Sequence, residues 1–333
     1  MKAKKMLLIA PMFFGYYKEI LKTAGDQGFE ADYLCDAPSN TNISKALGRL
    51  NKKLIGASTK KYFNERVRPV IESKKYDNIL VIAGMSFSFT AGMIGEIRNS
   101  QKDALFVLYQ WDGEKNLPYV KSIHGYFDRV FTFDRIDALK DSVYRHLPLF
   151  YISSYEKIAG MKAESLYDCS YVGTAHPKKF REINLMADAL KDVLPRQFIY
   201  HYMPSRLKYL YHKLTSPEYK GVKFESFRTG RLSASEITDI LVKSRCVLDA
   251  PQEGQNGLTI RAIECIGAKK KLVTANPDIK NYDFYRENNI LVLENGMGNI
   301  DPGSGFFTED YEELPREIYT EYSLDSWLRR LFS

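Results

Sequence analysis

The chain has 333 residues, 44% hydrophobic and 27% charged, which excludes intrinsic disorder as its main state and leaves room for about two domains. Its formal charge of +7 is uneven: residues 1–70 hold 13 Lys/Arg against 6 Asp/Glu, and residues 301–333 hold 3 against 8. Cys35, Cys169, Cys246 and Cys265 form no Cys-x-x-Cys pair and have no histidine at ligand spacing. That argues against a structural zinc or a disulfide framework and fits a reducing compartment.

The start, Met1-Lys-Ala-Lys-Lys before Met6-Leu-Leu-Ile-Ala, mimics a signal peptide, but Pro11 follows at once and no small-residue cleavage site is apparent. Met6–Ala10 therefore reads as a buried parallel strand. A helix over Tyr16–Asp26 and a strand over Ala31–Cys35 follow, then one or two helices over 43–74. The uncharged run 78–95 is interrupted by Gly84, Gly92 and Gly95 and falls short of the roughly 20 apolar residues of a spanning helix. It reads as a strand (Ile79–Ala83), a Gly/Ser loop and a helix, which points to a cytoplasmic protein. Leu105–Tyr109 and Arg129–Phe133 are further strands.

Residues 149–167 break this rhythm as a connector, and the alternation then restarts. Strands are expected at Cys169–Val172, Gln197–His201, Val222–Phe227, Cys246–Ala250, Lys271–Ala275 and Ile290–Leu293. Helices are expected at His176–Val193, at Ser233–Ser244 with a capping box Ser233-x-x-Glu236, and at Gly257–Gly267. The last helix, Leu324–Phe332, keeps Leu324, Trp327, Leu328 and Leu331 at helical spacing and should dock, on the N-terminal domain by expectation. Repeated βα alternation predicts an α/β protein of two Rossmann-like doubly wound domains, 1–150 and 151–333, facing a cleft.

The segment richest in chemistry is Asp249-Ala-Pro-Gln-Glu-Gly-Gln-Asn-Gly-Leu-Thr-Ile-Arg-Ala-Ile-Glu264-Cys-Ile-Gly267. A buried strand runs through a Gly-rich turn into a helix. Gly254 and Gly257 allow close backbone approach, and the helix start offers unpaired N–H groups and its positive dipole end to an anion. Thr259 and Arg261 add a hydroxyl and a cation there, and Glu264 is placed to accept from ribose hydroxyls. The alternative is a plain strand-to-helix turn with a polar surface.

The stretch Asn256-Gly-Leu-Thr-Ile-Arg-Ala-Ile-Glu264, with Gly267 and Lys271-Leu-Val-Thr274, resembles the donor-site signature of GT-B glycosyltransferases. One large retaining group carries two glutamates eight positions apart; here Glu264 stands at the second and Asn256 at the first, with Glu253 nearby but out of register. Tyr109-Gln-Trp-Asp112, Phe127-Asp-Arg-Val-Phe-Thr-Phe-Asp134, Tyr171-Val-Gly-Thr174 and Asn281-Tyr-Asp-Phe-Tyr285 extend the resemblance, in shared order, to bacterial surface-polysaccharide enzymes, rhamnosyltransferase-like and CgeB-like. It implies transfer of a sugar from a nucleotide-activated donor to a lipopolysaccharide, O-antigen or capsule precursor. The N-terminal domain would take the acceptor and the C-terminal domain the donor.

The residues themselves add constraints. No Asp-x-Asp is present, so no metal is expected, and the leaving diphosphate must be met by cations and helix ends. Candidates are Lys178, Lys179 and Arg181 after Gly173-Thr174, and Arg228 and Arg231 around Gly230; each reads equally as a solvated surface cation. His176 reads as a phosphate contact or a helix-start residue. No P-loop, Gly-x-Gly-x-x-Gly or Gly-x-Ser-x-Gly occurs, so nucleotide hydrolysis, dinucleotide redox chemistry and serine hydrolysis lose support. Asp112, directly after a strand, is the first candidate for the base of an inverting transfer, with Glu114 behind it. The alternative is a structural Asp beside a packed Trp111. No cofactor beyond the nucleotide-sugar co-substrate is expected.

Lys45 to Arg68 holds eight cations and one acid, Glu65, with Ile43, Leu47, Leu50 and Leu54 at helical spacing. This basic amphipathic segment, 43–68, is either a peripheral contact with the inner membrane or a core-packed helix with a solvated outer face. Nucleic-acid binding ranks third, because no aromatic residues interleave the charges over 45–60.

Overall fold

The structure, a computed structural model, describes residues 3–12, 15–38, 56–251 and 255–333. It divides into two units, Met1–Pro148 with Leu324–Ser333, and Leu149–Ser323. Each is built on a parallel sheet flanked by helices, the α/β architecture expected from the sequence.

The first unit runs β1 (Lys4–Ala10), α1 (Tyr16–Asp26), β2 (Phe29–Cys35), α2 (Gly56–Tyr62), α3 (Arg68–Ser73), β3 (Asn78–Ala83), α4 (Ala91–Ser100), β4 (Leu105–Gln110), β5 (Arg129–Thr132), α5 (Arg135–Lys140) and β6 (Tyr144–His146). Among the described residues its sheet has the order β2-β1-β3-β4-β5-β6. The order reverses between β1 and β3, and such a switch point opens a crevice beyond the strand ends. Because β1, β3 and β4 are central and covered on both faces, they read as continuous apolar runs.

The C-terminal helix Leu324–Phe332 belongs to this unit. Its Leu324, Trp327, Leu328 and Leu331 are all buried. Trp327 meets Tyr109 edge to face at 4.8 Å, Gln27 Nε2 donates to the Asp325 carbonyl at 2.8 Å, and Arg129 donates to the Leu331 carbonyl at 3.0 Å.

The second unit runs α6 (Ser153–Ala159), β7 (Tyr167–Thr174), α7 (Pro177–Leu190), β8 (Gln197–Tyr202), α8 (Arg206–Thr215), α9 (Ala234–Val242), β9 (Ser244–Asp249), α10 (Ile260–Gly267), β10 (Lys271–Thr274) and β11 (Ile290–Val292). Its strand order among the described residues is β11-β10-β9-β7-β8, with the switch between β7 and β9. Cys169, Ile183, Met186, Leu248 and Val273 centre its core. All four cysteines are free thiols.

Three expectations need correction, and two elements were not expected. The segment Val222–Phe227 is not a strand. Its alternating apolar residues reflect packing of Val222, Phe224 and Phe227 against Tyr209 and Tyr219, and only a single bridge from Tyr202 to Arg228 touches the sheet. Helix α8 and strand β6 had no counterpart in the sequence reading. The connector 149–167 contains helix α6, and the helix expected from Gly257 begins at Ile260, because Thr259 holds the cap position with extended backbone. The capping box at Ser233 and Glu236 is present as expected.

Of the basic segment, residues 43–55 lie outside the described residues. Over 56–73 the chain is helical with a π turn at Phe63–Val67, and Phe63, Val67 and Ile71 enter the core. No helix of the described residues is long and apolar enough to cross a membrane.

Candidate functional site

In the second unit the polar groups gather at the carboxyl ends of β7 and β9, the switch point. Asp249 closes β9 and is 2% exposed. Its Oδ2 accepts from Thr259 Oγ1 at 2.7 Å, and its Oδ1 faces Lys179 Nζ at 3.6 Å. Thr259 in turn accepts from the Ala262 amide, so one hydroxyl ties the strand end to the first turn of α10. Lys179 comes from the first turn of α7, after β7. The Lys179–Asp249 pair therefore spans the two elements on either side of the switch.

Gly173, near the end of β7, makes room for a neighbouring ring. Tyr171 folds back over it, and a Cβ there would overlap the Tyr171 hydroxyl. That phenol is buried near Asp249, and burial raises it above its ordinary pKa. On the loop side, Asn276 Nδ2 donates to the Asn256 carbonyl at 2.9 Å while its Oδ1 accepts from the Asp278 amide at 3.0 Å, fixing the turn that carries Gly257.

One turn into α10, Arg261 and Glu264 pair at 3.0 Å, with the carboxylate almost fully buried. Tyr155 of α6 lies against it, and burial together with the Glu264 charge raises that phenol as well. Glu264 is thus a shielded anion held by a half-open cation.

The sequence-predicted residues divide accordingly. Gly257, Thr259, Arg261 and Glu264 sit on the β9–α10 turn and helix, and Gly173 and Thr174 end the neighbouring β7. Gly257 is buried in the turn, three residues ahead of the helix, and Asn256 is exposed, its carbonyl accepting from Asn276. Of the three cations after Thr174, Lys178 and Arg181 are exposed, and Lys179 is the one turned inward. Arg228 is exposed and donates to the Glu225 carbonyl of its own loop at 3.3 Å; Arg231 is exposed too. His176 precedes α7 without capping it. Glu253 and Gly254 lie outside the described residues.

Asp249, Tyr155 and Tyr171 were missed. Asp249 carried a signal, since it ends a buried apolar run and heads the segment that leads to Glu264; Tyr171 stood in the motif Tyr171-Val-Gly-Thr174 without a role, and Tyr155 carried none, because only the fold brings it there.

His201 at the end of β8 belongs to the same unit. Its ring is 4% exposed, lies 4.6 Å from Phe180 and 5.1 Å from Tyr171, and neither nitrogen has a hydrogen-bond partner among the described residues. Burial pushes its pKa down to about 4, so it is neutral. At the opposite ends of the strands, a cavity of about 230 Å³ is lined by Lys269, Lys270 and Lys271. Lys271 Nζ there donates to the carbonyls of Gly305, Phe306 and Glu309 at 2.8–2.9 Å, which makes it a structural plug.

In the first unit, Asp112 follows β4 and its Oδ2 accepts from the Met85 amide at 2.8 Å, across the close approach that Gly84 allows. Glu114 is engaged by Lys121 at 2.9 Å and by Tyr144 at 3.2 Å. A second carboxylate, Asp36, directly follows β2, is 1% exposed and accepts from Ser86 Oγ at 3.0 Å. Sequence reading missed it, although the strand-end argument that selects Asp112 applies to it equally. Among the described residues no three His, Cys, Asp or Glu side chains converge as a metal site.

No protein-family model and no curated protein sequence matches the chain. Solved structures do. An alpha-glucosyltransferase in complex with UDP and a mismatched 13-mer DNA aligns over 99% of this chain and 95% of its own, with a TM-score of 0.56 at 12% identity. The catalytic domain of starch synthase IV from Arabidopsis thaliana, bound to ADP and acarbose, aligns over 99% and 94%, with 0.53 at 8%. Sucrose-phosphate synthase from Thermosynechococcus elongatus aligns over 99% and 95%, with 0.50 at 10%. The chain has the GT-B fold. At these identities the likeness establishes the fold alone.

Proposed function

We propose that this GT-B chain is a glycosyltransferase that moves a sugar from a nucleotide-activated donor to a lipopolysaccharide, O-antigen or capsule precursor, without a metal ion. The observation that carries this reading is the convergence of Lys179, Thr259 and the start of α10 on the β7–β9 switch point, on a chain that aligns end to end with transferases whose solved structures contain UDP or ADP. A helix N-terminus beside a cation offers a diphosphate what a metal otherwise supplies.

In this reading the second unit holds the donor. The donor diphosphate meets Lys179, whose Nζ lies 3.6 Å from Asp249 Oδ1, while Asp249 keeps its bond from Thr259. Glu264, held by Arg261, accepts from the ribose hydroxyls. The first unit holds the acceptor, and Asp112 takes the proton of the attacking hydroxyl as its oxygen bonds to the anomeric carbon and the nucleoside diphosphate leaves.

The test has two steps. Thermal shift against a nucleotide panel finds the donor base, because a ligand at 100 times its Kd adds about 2.7 kcal/mol to the folded state. Turnover of the matching nucleotide sugar with glycan acceptors is then compared between wild type and Lys179→Ala, with kcat expected to fall about 10²–10³-fold. Binding without consumption of any donor would favour a non-catalytic nucleotide-binding protein instead. An acceptor that gains phosphorus would favour a phosphosugar or phosphoglycerol transferase.

A further inference from the structure

Helix α8 has an apolar face that the fold leaves uncovered. Leu207, Leu210, Tyr211 and Leu214 are 80%, 50%, 62% and 86% exposed. At 3.6 residues per turn they share about 100° of arc, the width of a stripe that normally faces a core. The core-facing side of α8 is already occupied. Tyr209 lies opposite the stripe, is buried against Phe224, Phe227 and Tyr219, and donates to the Val222 carbonyl at 2.8 Å. The stripe is thus additional to what α8 needs for folding.

Its borders are cationic. On a helical wheel Lys208 flanks one edge and Arg206 and Lys213 the other, and α8 contains no acid. Arg206 stacks on Phe224 with 5.1 Å to the ring centroid, and Lys213 Nζ donates to Tyr209 Oη at 3.0 Å. Both contacts draw these two side chains toward the core side of α8, so Arg206 and Lys213 border the stripe as exposed residues without pointing along it. The following loop carries the exposed Lys220 and Lys223 together with the exposed Glu225.

We infer that α8 docks the protein on an anionic phospholipid surface, with the leucines entering the headgroup–acyl boundary and the flanking cations meeting lipid phosphates. Leucines between cations on an acid-free helix fit an interface that is apolar inside and negative at its surface. A protein groove of matching shape would satisfy the leucines but has no need of cations on both edges. This surface is a different element from the basic segment 43–68, whose residues 43–55 lie outside the described residues. The stripe shares no residue with the proposed donor site and does not depend on the glycosyltransferase reading.

The test is co-sedimentation of the full chain with phosphatidylcholine vesicles and with vesicles containing phosphatidylglycerol, at low and high salt. A Leu207→Ser/Leu214→Ser double variant is run alongside. Both leucines are exposed, so the variant should keep the wild-type circular dichroism spectrum and urea midpoint. The expected result is binding to the anionic vesicles that weakens with salt and drops at least about tenfold in the variant. Wild-type binding that persists in the variant would overturn the proposal in favour of another contact, such as the segment around residues 43–55. Equal binding to neutral vesicles, or none to either, would overturn it. So would a concentration-dependent dimer, seen by sedimentation in place of vesicle binding and lost in the variant, because the stripe would then join two copies of the chain.

Discussion

Thr259 Oγ1 donates a 2.7 Å hydrogen bond to Asp249 Oδ2 and accepts one from the Ala262 amide at 3.2 Å. A single hydroxyl therefore both caps α10 and satisfies a carboxylate that is almost out of contact with water. Thr259→Val keeps the shape and removes both bonds. The expected cost is ~2–3 kcal/mol, from the lost cap and the unsatisfied acceptor. Thr259→Ser should retain most of the stability. Urea unfolding of the two variants checks this, and equal midpoints would show that the bond to Asp249 contributes little.

Asp112 is bonded to the Met85 amide, so its removal mixes chemistry with loop structure. Asp112→Asn separates the two, because the amide oxygen still accepts from Met85 while the side chain no longer takes a proton. Its unfolding midpoint should match wild type, with kcat for sugar transfer down about 10²–10⁴-fold. If Asp112→Asn keeps its activity and Asp36→Asn loses it, the base role moves to Asp36.

His201 couples folding to pH. The unfolded chain takes up its proton near the ordinary 6.5, the folded chain only near 4. Between those values the unfolded state binds more protons, so the contribution is complete above about pH 6.5 and is lost as pH falls towards 4. The full loss is about 3 kcal/mol. His201→Phe, which suits the aromatic surroundings of Phe180 and Tyr171, should flatten this part of the profile. Urea titrations of both proteins at pH 7 and pH 4.5 give the difference directly.

Trp327 is 1% exposed and packs edge to face on Tyr109 of β4. Trp327→Ala should destabilise the first unit by about 3–5 kcal/mol through the cavity it leaves. Thermal unfolding followed by near-ultraviolet circular dichroism measures this. A shift of only a degree or two would mean that the C-terminal helix contributes little to that unit.

Most elements were legible because buried strands and amphipathic helices carry their period in the chain. Helix α1 and the C-terminal helix follow the expected limits closely, and the central strands extend only a residue or two beyond theirs. Helix α8 was missed although Leu207, Leu210, Tyr211 and Leu214 stand at i, i+3, i+4 and i+7; what the sequence could not show is that this stripe faces outward while the buried side rests on Tyr209. Val222–Phe227 misled for the opposite reason, since aromatic packing imitates strand alternation. Arg261 and Glu264 were read as separate ligand contacts, a cation for the anion and an acceptor for the ribose. Their 3.0 Å pairing instead means that Arg261→Ala strands a buried carboxylate, so Glu264→Gln is the cleaner probe.

The sequence by itself determined the alternation of strands and helices, the restart of that alternation after residue 150, and the turn from Asp249 to Glu264. These are local patterns, set by periodicity, glycine and capping residues over a few positions. Tertiary structure decided which groups meet. It chose Lys179 over its exposed neighbours Lys178 and Arg181, set Tyr155 against Glu264, enclosed His201 among aromatic rings, and left the leucines of α8 in solvent. Each outcome depends on burial and on distances between residues far apart in the chain, and those quantities arise only when the sheets are assembled.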